Sequence, residues 1–173
     1  MTEETAVPVV VVMGVSGCGK STVGRSIAEA LRVEYSEGDD FHPEQNIAKM
    51  AAGVPLTDED RAPWLDIIAG WLAGRGSHGG VVSCSALKHS YRDRLRAAAP
   101  EAFFVHLAAS RDELAQRMAA RRGHFMPSSL LDSQLAALEP LSADEHGITV
   151  DATRPPAELV QDVMAALGIR PSD

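Results

Sequence analysis

Apolar residues run unbroken from Val9 to Met13 and stop at Gly14. A β-branched run of this length, with no polar alternation, predicts a strand covered on both faces, as in a parallel sheet. Immediately after it the period changes. Val23, Ile27 and Leu31 recur every four residues among polar neighbours, which predicts an amphipathic helix over Lys20–Leu31. The alternation of strand and helix then continues along the chain. Further strands are expected at Val33–Ser36, Val81–Cys84, Phe103–Leu107 and Ile148–Val150. Helices are expected at Pro43–Ala52, Glu59–Ala73 and Lys88–Ala98, from Ser110 onward, and at Ser128–Leu138 and Pro155–Leu167. Ser110 and Glu113 form the S-x-x-E pattern of a capping box. The glycine-rich stretch Gly74 to Gly80 reads as a surface loop.

Strands alternating with helices in this way imply an α/β fold: a three-layer α/β/α sandwich around a five-stranded parallel sheet, with ligands beyond the C-terminal strand ends. A chain of 173 residues suits one domain, so residues 1–173 are read as a single unit. Hydrophobic residues at 45% and charged residues at 23% are ordinary for a globular protein and too apolar for a disordered one. A formal net charge of −8 disfavours nucleic acid as a partner, because that binding rests on broad Lys and Arg surfaces. Met1 to Thr5 is acidic and lacks the basic region of a secretory signal, and the run from Val7 to Met13 is too short to span a bilayer. The expectation is a cytoplasmic protein with no membrane partner, in which Cys18 and Cys84 stay thiols.

Between the first strand and the first helix stands Gly14-Val15-Ser16-Gly17-Cys18-Gly19-Lys20-Ser21, which fits G-x-x-x-x-G-K-[ST] in the context its physics demands. Glycines let backbone N–H groups curl around a β-phosphate, and the start of the following helix, with Thr22 next in line, adds positive potential. Lys20 reaches the β and γ oxygens, and the Ser21 hydroxyl offers a ligand to Mg²⁺. ATP and Mg²⁺ are therefore the expected cofactors. The same loop serves switches and kinases. A GTPase-type switch needs an Asn-Lys-x-Asp segment, which is absent, and an Asp-x-x-Gly after the third strand; the one match, Asp144 to Gly147, precedes the last strand. A small-molecule kinase needs acceptor-binding groups after the second and third strands and a basic lid, and candidates for both are present.

Gly38-Asp39-Asp40-Phe41-His42-Pro43, Asn46-Ile47-Ala48-Lys49-Met50 and the stretch from Gly53 to Leu65, with Asp60-Arg61-Ala62-Pro63-Trp64-Leu65 at its end, closely resemble the bacterial-type gluconokinases of the shikimate-kinase-like P-loop group. Cys84-Ser85-Ala86-Leu87-Lys88, Tyr91-Arg92-Asp93 and Arg121-Arg122-Gly123-His124-Phe125 do likewise, so the resemblance covers nearly all of Val9 to Leu167. It implies a P-loop fold of the nucleoside-monophosphate or shikimate kinase type with a mobile lid, and ATP-dependent conversion of D-gluconate to 6-phospho-D-gluconate by a homodimer. Shikimate kinase, the nearest rival, would carry Gly-Gly-Gly at the third strand, whereas here Gly79-Gly80 precede it. A nucleoside-monophosphate kinase is a further alternative, and a non-catalytic nucleotide-dependent switch is the alternative outside enzymes.

Lys20, Asp39 and Arg121 are the expected catalytic residues. Asp39 follows the second strand, opens an acceptor-binding region of about residues 39–75, and can take the proton of an attacking hydroxyl; as a turn aspartate it would merely cap the next helix. In the resembling family the position of Arg61 grips the acceptor, and a guanidinium matches a carboxylate with two parallel bonds. His42 offers a donor and an acceptor to a polyol, or is a turn residue before proline. Lys88 and Arg92, four residues apart, share a helix face near the third strand's end and are candidates for the acceptor's carboxylate and hydroxyls. Arg117 and Arg121 share a face of the Ser110 helix on the nucleotide side. Gly123 and Pro127 bracket a segment, about residues 121–128, expected to close over ATP with Arg121 at the transferring group and His124 toward a substrate. Arg154 and Pro155 follow the last strand, where related kinases hold the adenine. Cys18 stands where the family commonly has serine, which puts a thiol open to oxidation near the phosphates. The third strand ends Ser83-Cys84-Ser85 with no acidic residue. That leaves Mg²⁺ to Ser21, ATP oxygens and water, with Asp39 as an outer partner.

Overall fold

The first apolar run forms the middle of the sheet. In the computed structural model, which describes residues 7–15, 17–120 and 128–169, β1 (Val9–Met13) pairs in parallel with β3 (Gly80–Ser83) on one side and β4 (Phe103–Ala108) on the other. β2 (Tyr35–Glu37) and β5 (Gly147–Asp151) form the edges, giving the order β2-β3-β1-β4-β5 with every pairing parallel. Pleating sends Val10 and Val12 into a cluster with Ile27, Leu107, Leu114 and Val163. Val9, Val11 and Met13 enter a second cluster with Trp64, Ile68, Leu95 and Phe104. Both faces of β1 are thus covered, which is why its sequence shows no alternation.

Helices α1 (Lys20–Leu31) and α7 (Pro156–Ala166) supply the first cluster, and α3 (Asp58–Arg75) and α4 (His89–Ala98) the second. The short α2 (Glu44–Ala51) precedes α3, and α5 (Arg111–Ala120) and α6 (Ser128–Ala137) lie between β4 and β5 in the chain. The three-layer sandwich is the one expected. The capping box at α5 is present: Glu113 N–H donates to Ser110 Oγ at 3.2 Å, and Ser110 N–H to the Glu113 carboxylate at 3.0 Å. Among the described residues no helix is long and apolar enough to cross a membrane.

Most elements shift by a residue or two at their ends, and two of the differences have visible local reasons. Val33 closes the end of α1 rather than opening a strand, because the cap Arg32 adopts φ 58° and the Val33 N–H returns to the Ala28 carbonyl at 3.0 Å, so β2 starts at Tyr35. The stretch Gly74–Gly80 is not a loop throughout: α3 runs to Arg75, a 3₁₀ turn covers Gly76–His78, and Gly80 opens β3. A Cβ at Gly80 would come within 2.9 Å of Trp71, so glycine there permits close helix–strand packing.

Candidate active site

The carboxyl ends of β1, β2 and β3 converge on the N-terminus of α1. After β1 the chain turns through Gly14, Gly17 and Gly19 with φ of 146°, 86° and 95°. A Cβ at Gly14 would sit 2.8 Å from Cys18 Sγ and 2.9 Å from the Leu107 carbonyl oxygen, so the loop closes only on glycine. Lys20 folds over it, donating from Nζ to the carbonyls of Gly14 at 2.9 Å and Val15 at 3.0 Å. Thr22 is exposed on the first turn of α1. Contrary to expectation, the Cys18 thiol is not open to oxidation: at 1% exposure it packs inward against the first core cluster. Arg117 reaches from α5 to donate to the Cys18 carbonyl at 3.0 Å and the Ala152 carbonyl at 2.6 Å, tying the phosphate loop to the segment after β5. Arg154, at the end of that segment, pairs along α7 with Asp162 at 2.5 Å and Glu158 at 3.9 Å. Pro155 is the N-cap of α7. Ser16 and residues 121–127, with Arg121, His124 and nearly all of the expected lid, lie outside the described residues.

The carboxylate missing after β3 stands at the end of β2. Ser21 Oγ lies 2.8 and 2.7 Å from the two carboxylate oxygens of Glu37, which also accepts from Ser83 Oγ at 2.8 Å and the Tyr35 hydroxyl at 2.9 Å. Burial alone would raise the Glu37 carboxyl, but hydrogen bonds from Ser21, Ser83 and Tyr35, with the nearby Arg25 charge, hold it below its ordinary range. The corner is anionic and built of oxygen donors, which suits a hard divalent cation such as Mg²⁺. The sequence alone places the expected acid at the end of the third strand, where Ser83 stands, and not at Glu37. Its signal was an acid two residues before Asp39 at a strand end.

Gly38 directs the chain beyond β2. A Cβ there would lie 2.0 Å from the Ser83 carbonyl oxygen, so only glycine passes, and the Trp64 indole N–H fixes the Gly38 carbonyl at 2.7 Å. The 3₁₀ turn Gly38–Phe41 then brings Asp39 to a cavity that Lys20, His42, Arg61, Trp64 and Ser85 also line. Leu130, Ser133 and Gln134 of α6 border the same cavity. Nothing in their spacing signals this, because it depends on how α6 packs.

His42 stacks on Trp64 with ring centroids 4.2 Å apart and planes 12° from parallel. Arg61 is buried at 9% exposure and donates from Nη1 to the Tyr91 hydroxyl at 3.0 Å. That hydroxyl donates in turn to Asp58, which also receives Lys88 Nζ at 2.9 Å. Lys88 therefore stands outside the cavity wall, linked to Arg61 through two side chains. Arg92 departs from expectation. It is fully buried, donates to both Glu145 oxygens at 2.7 and 3.0 Å, and spends its remaining donors on the carbonyls of Ala86, Leu87 and Pro140. It braces α4 and offers no free donor to a substrate, because burial of a guanidinium demands that each N–H be paired.

A family model described as an AAA domain matches residues 10–127. The gluconokinase of Gluconobacter oxydans (strain 621H) is 48% identical over 156 residues, covering 89% of this chain and 88% of that one. The crystal structure of a gluconokinase from Sinorhizobium meliloti 1021 superposes with a TM-score of 0.87 at 51% identity, covering 95% of this chain and 94% of that one. A shikimate kinase from Bacteroides thetaiotaomicron, at 16% identity and a TM-score of 0.68 over 94% of this chain and 99% of its own, is alike in fold alone.

Proposed function

This chain belongs to the gluconokinase family, and on that premise we propose that it transfers the γ-phosphoryl group of ATP to D-gluconate, releasing 6-phospho-D-gluconate and ADP. The observation that carries the reading is one cavity lined both by Lys20 of the phosphate loop and by Asp39, His42 and Arg61 of the acceptor side.

The loop amides from Gly14 to Ser21 cradle the phosphates. Lys20 leaves its two carbonyls to neutralise charge on the transferring group. Asp39 accepts the proton of the gluconate hydroxyl as that oxygen bonds to phosphorus and the bond to ADP breaks. Arg61, steadied by Tyr91, pairs with the gluconate carboxylate, while Lys88 adds positive charge from the rim. Trp64 and His42 wall the sugar chain. Arg117 serves the nucleotide side, Arg154 and Pro155 flank the base, and Arg121 and His124 act from the lid. Ser21 and Glu37 would hold Mg²⁺, which supplies neutralisation of the phosphate oxygens when bound. A single catalytic domain, a cytoplasmic location and a homodimer belong to the same proposal.

A coupled ADP-release assay with D-gluconate, shikimate and AMP offered in parallel tests this. Turnover with gluconate well above the other two is expected. Turnover with shikimate or AMP and none with gluconate would assign the chain to another kinase.

A further inference from the structure

Asn46 on α2 is fully buried, an uncommon place for an amide. Its Nδ2 donates to the Asp60 carbonyl at 2.9 Å and stands 3.2 Å from Nδ1 of His42. A carbonyl can only accept, so the group that faces it is the NH₂ and not the amide oxygen. The second hydrogen of that NH₂ is left for His42 Nδ1, which must meet it with a lone pair. Turning the amide over would set its oxygen against the Asp60 carbonyl oxygen. In the observed orientation Asn46 Oδ1 has no partner among the described residues, although a bare buried acceptor is costly.

We propose that Asn46 is a positioning residue that locks His42 as the neutral Nε2–H tautomer, so that His42 offers the acceptor substrate a hydrogen-bond donor and nothing else. The inference rests on the reading of this cavity as the acceptor site.

The surroundings support it. The His42 ring lines the cavity, and Nε2 has no protein partner among the described residues. Stacking on Trp64 fixes the plane of the ring, the Asn46 contact sets which edge carries Nδ1, and the His42 backbone N–H donates to the Asp39 carbonyl at 3.2 Å, which keeps the ring beside Asp39. The Asp60 carbonyl that orients Asn46 is itself pinned, because the Asp60 carboxylate caps α3 through the Thr57 N–H at 2.9 Å and accepts from Lys49 Nζ at 2.7 Å. Burial lowers the His42 pKa, Asp39 opposes this, and Arg61 adds to it, which favours the neutral ring. A neutral Nε2–H then selects acceptors that present an oxygen lone pair at that point of the cavity.

Long-range ¹H–¹⁵N correlation of the histidine rings in the wild-type protein, without substrate, reads the tautomer directly, with His42 assigned by its loss in His42→Phe. A pyridine-type Nδ1 and a pyrrole-type Nε2 near neutral pH are expected; the reverse pattern, or an averaged mixture, overturns the proposal. In Asn46→Asp the new carboxylate demands a proton on Nδ1, so the ring must switch tautomer or become doubly protonated, and an unchanged spectrum removes Asn46 from the role. In steady-state assays His42→Phe should raise the gluconate KM about tenfold and leave the ATP KM alone, while His42→Gln, which keeps an N–H, should recover most of the loss. Equal losses in the two variants would exclude the donor role. Because the spectra need no gluconate, a wild-type enzyme that ignored gluconate would remove the substrate reading and leave the tautomer result standing.

Discussion

The two sides of the cavity are built by different means. The phosphate side comes from one contiguous stretch, Gly14 to Ser21, whose shape is set by glycine φ angles and whose donors are mainly backbone. The proposed acceptor side draws Asp39 and His42 from the turn after β2 and Arg61 and Trp64 from α3, and it is held by side-chain bonds: Trp64 to Gly38, Asn46 to His42, Tyr91 to Arg61. A backbone cradle tolerates side-chain exchange, which is why Cys18 can stand in its middle with the thiol turned into the core. A lattice of side chains has no such tolerance. The phosphate side can therefore be shared among kinases of many substrates, while on the proposed reading the choice of acceptor is spread over the turn after β2 and helices α2, α3 and α4.

The largest effect should come from the phosphate side. Lys20→Ala is expected to lower kcat about 10³-fold, the scale for losing one preorganised charge in a closed site, with the melting temperature unchanged. A coupled assay beside a thermal melt checks it.

Arg92→Met should separate architecture from binding. Glu145, 2% exposed, would lose the Arg92 bonds and keep Arg96 at 2.8 Å, so the expected loss is about 3 kcal/mol of stability, read by urea unfolding, with the gluconate KM unchanged. A raised KM without loss of stability would return Arg92 to the acceptor site. The same pair predicts an acid limit. Burial alone would raise the Glu145 carboxyl, but bonds from Arg92, the Ser142 N–H and Arg96 bring it from 4.5 to about 2. A depressed carboxyl pKa contributes stability fully above pH 4.5 and loses it as pH falls toward 2, so Glu145→Gln should flatten the acid-unfolding profile over that window.

Asp39→Asn should lower kcat about 10²-fold in steady-state assays while the gluconate KM changes little, because the carboxylate moves a proton; a raised KM with kcat kept would make it a binding group only. The smallest effect is expected from Tyr91→Phe. Loss of the hydroxyl frees the Arg61 guanidinium, and the gluconate KM should rise about fivefold with the ATP KM untouched. A change in the ATP KM instead would show that the two sides are not separable.

The same contrast explains what could be read along the chain. β1, α1 and the phosphate loop follow from period and glycine spacing, because the interactions that make them are local or continuous in sequence. The Gly-Asp-x-x-His-Pro segment and Arg61 were legible as chemistry, but not the bonds that orient them. Arg92 and Lys88 share a spacing, yet packing buries one on Glu145 and leaves the other at the rim. Glu37 is not legible along the chain because its meaning depends on β2 lying beside β3 at the mouth of α1, a sheet order that periodicity does not reveal.

A crystal structure of the protein with D-gluconate and a non-hydrolysable ATP analogue tests the central claim most directly. The C6 hydroxyl should lie within hydrogen-bond distance of Asp39 and face the terminal phosphate held by Lys20, with the gluconate carboxylate on Arg61. Gluconate seated with that hydroxyl turned away from Asp39, or bound outside this cavity altogether, would contradict the account.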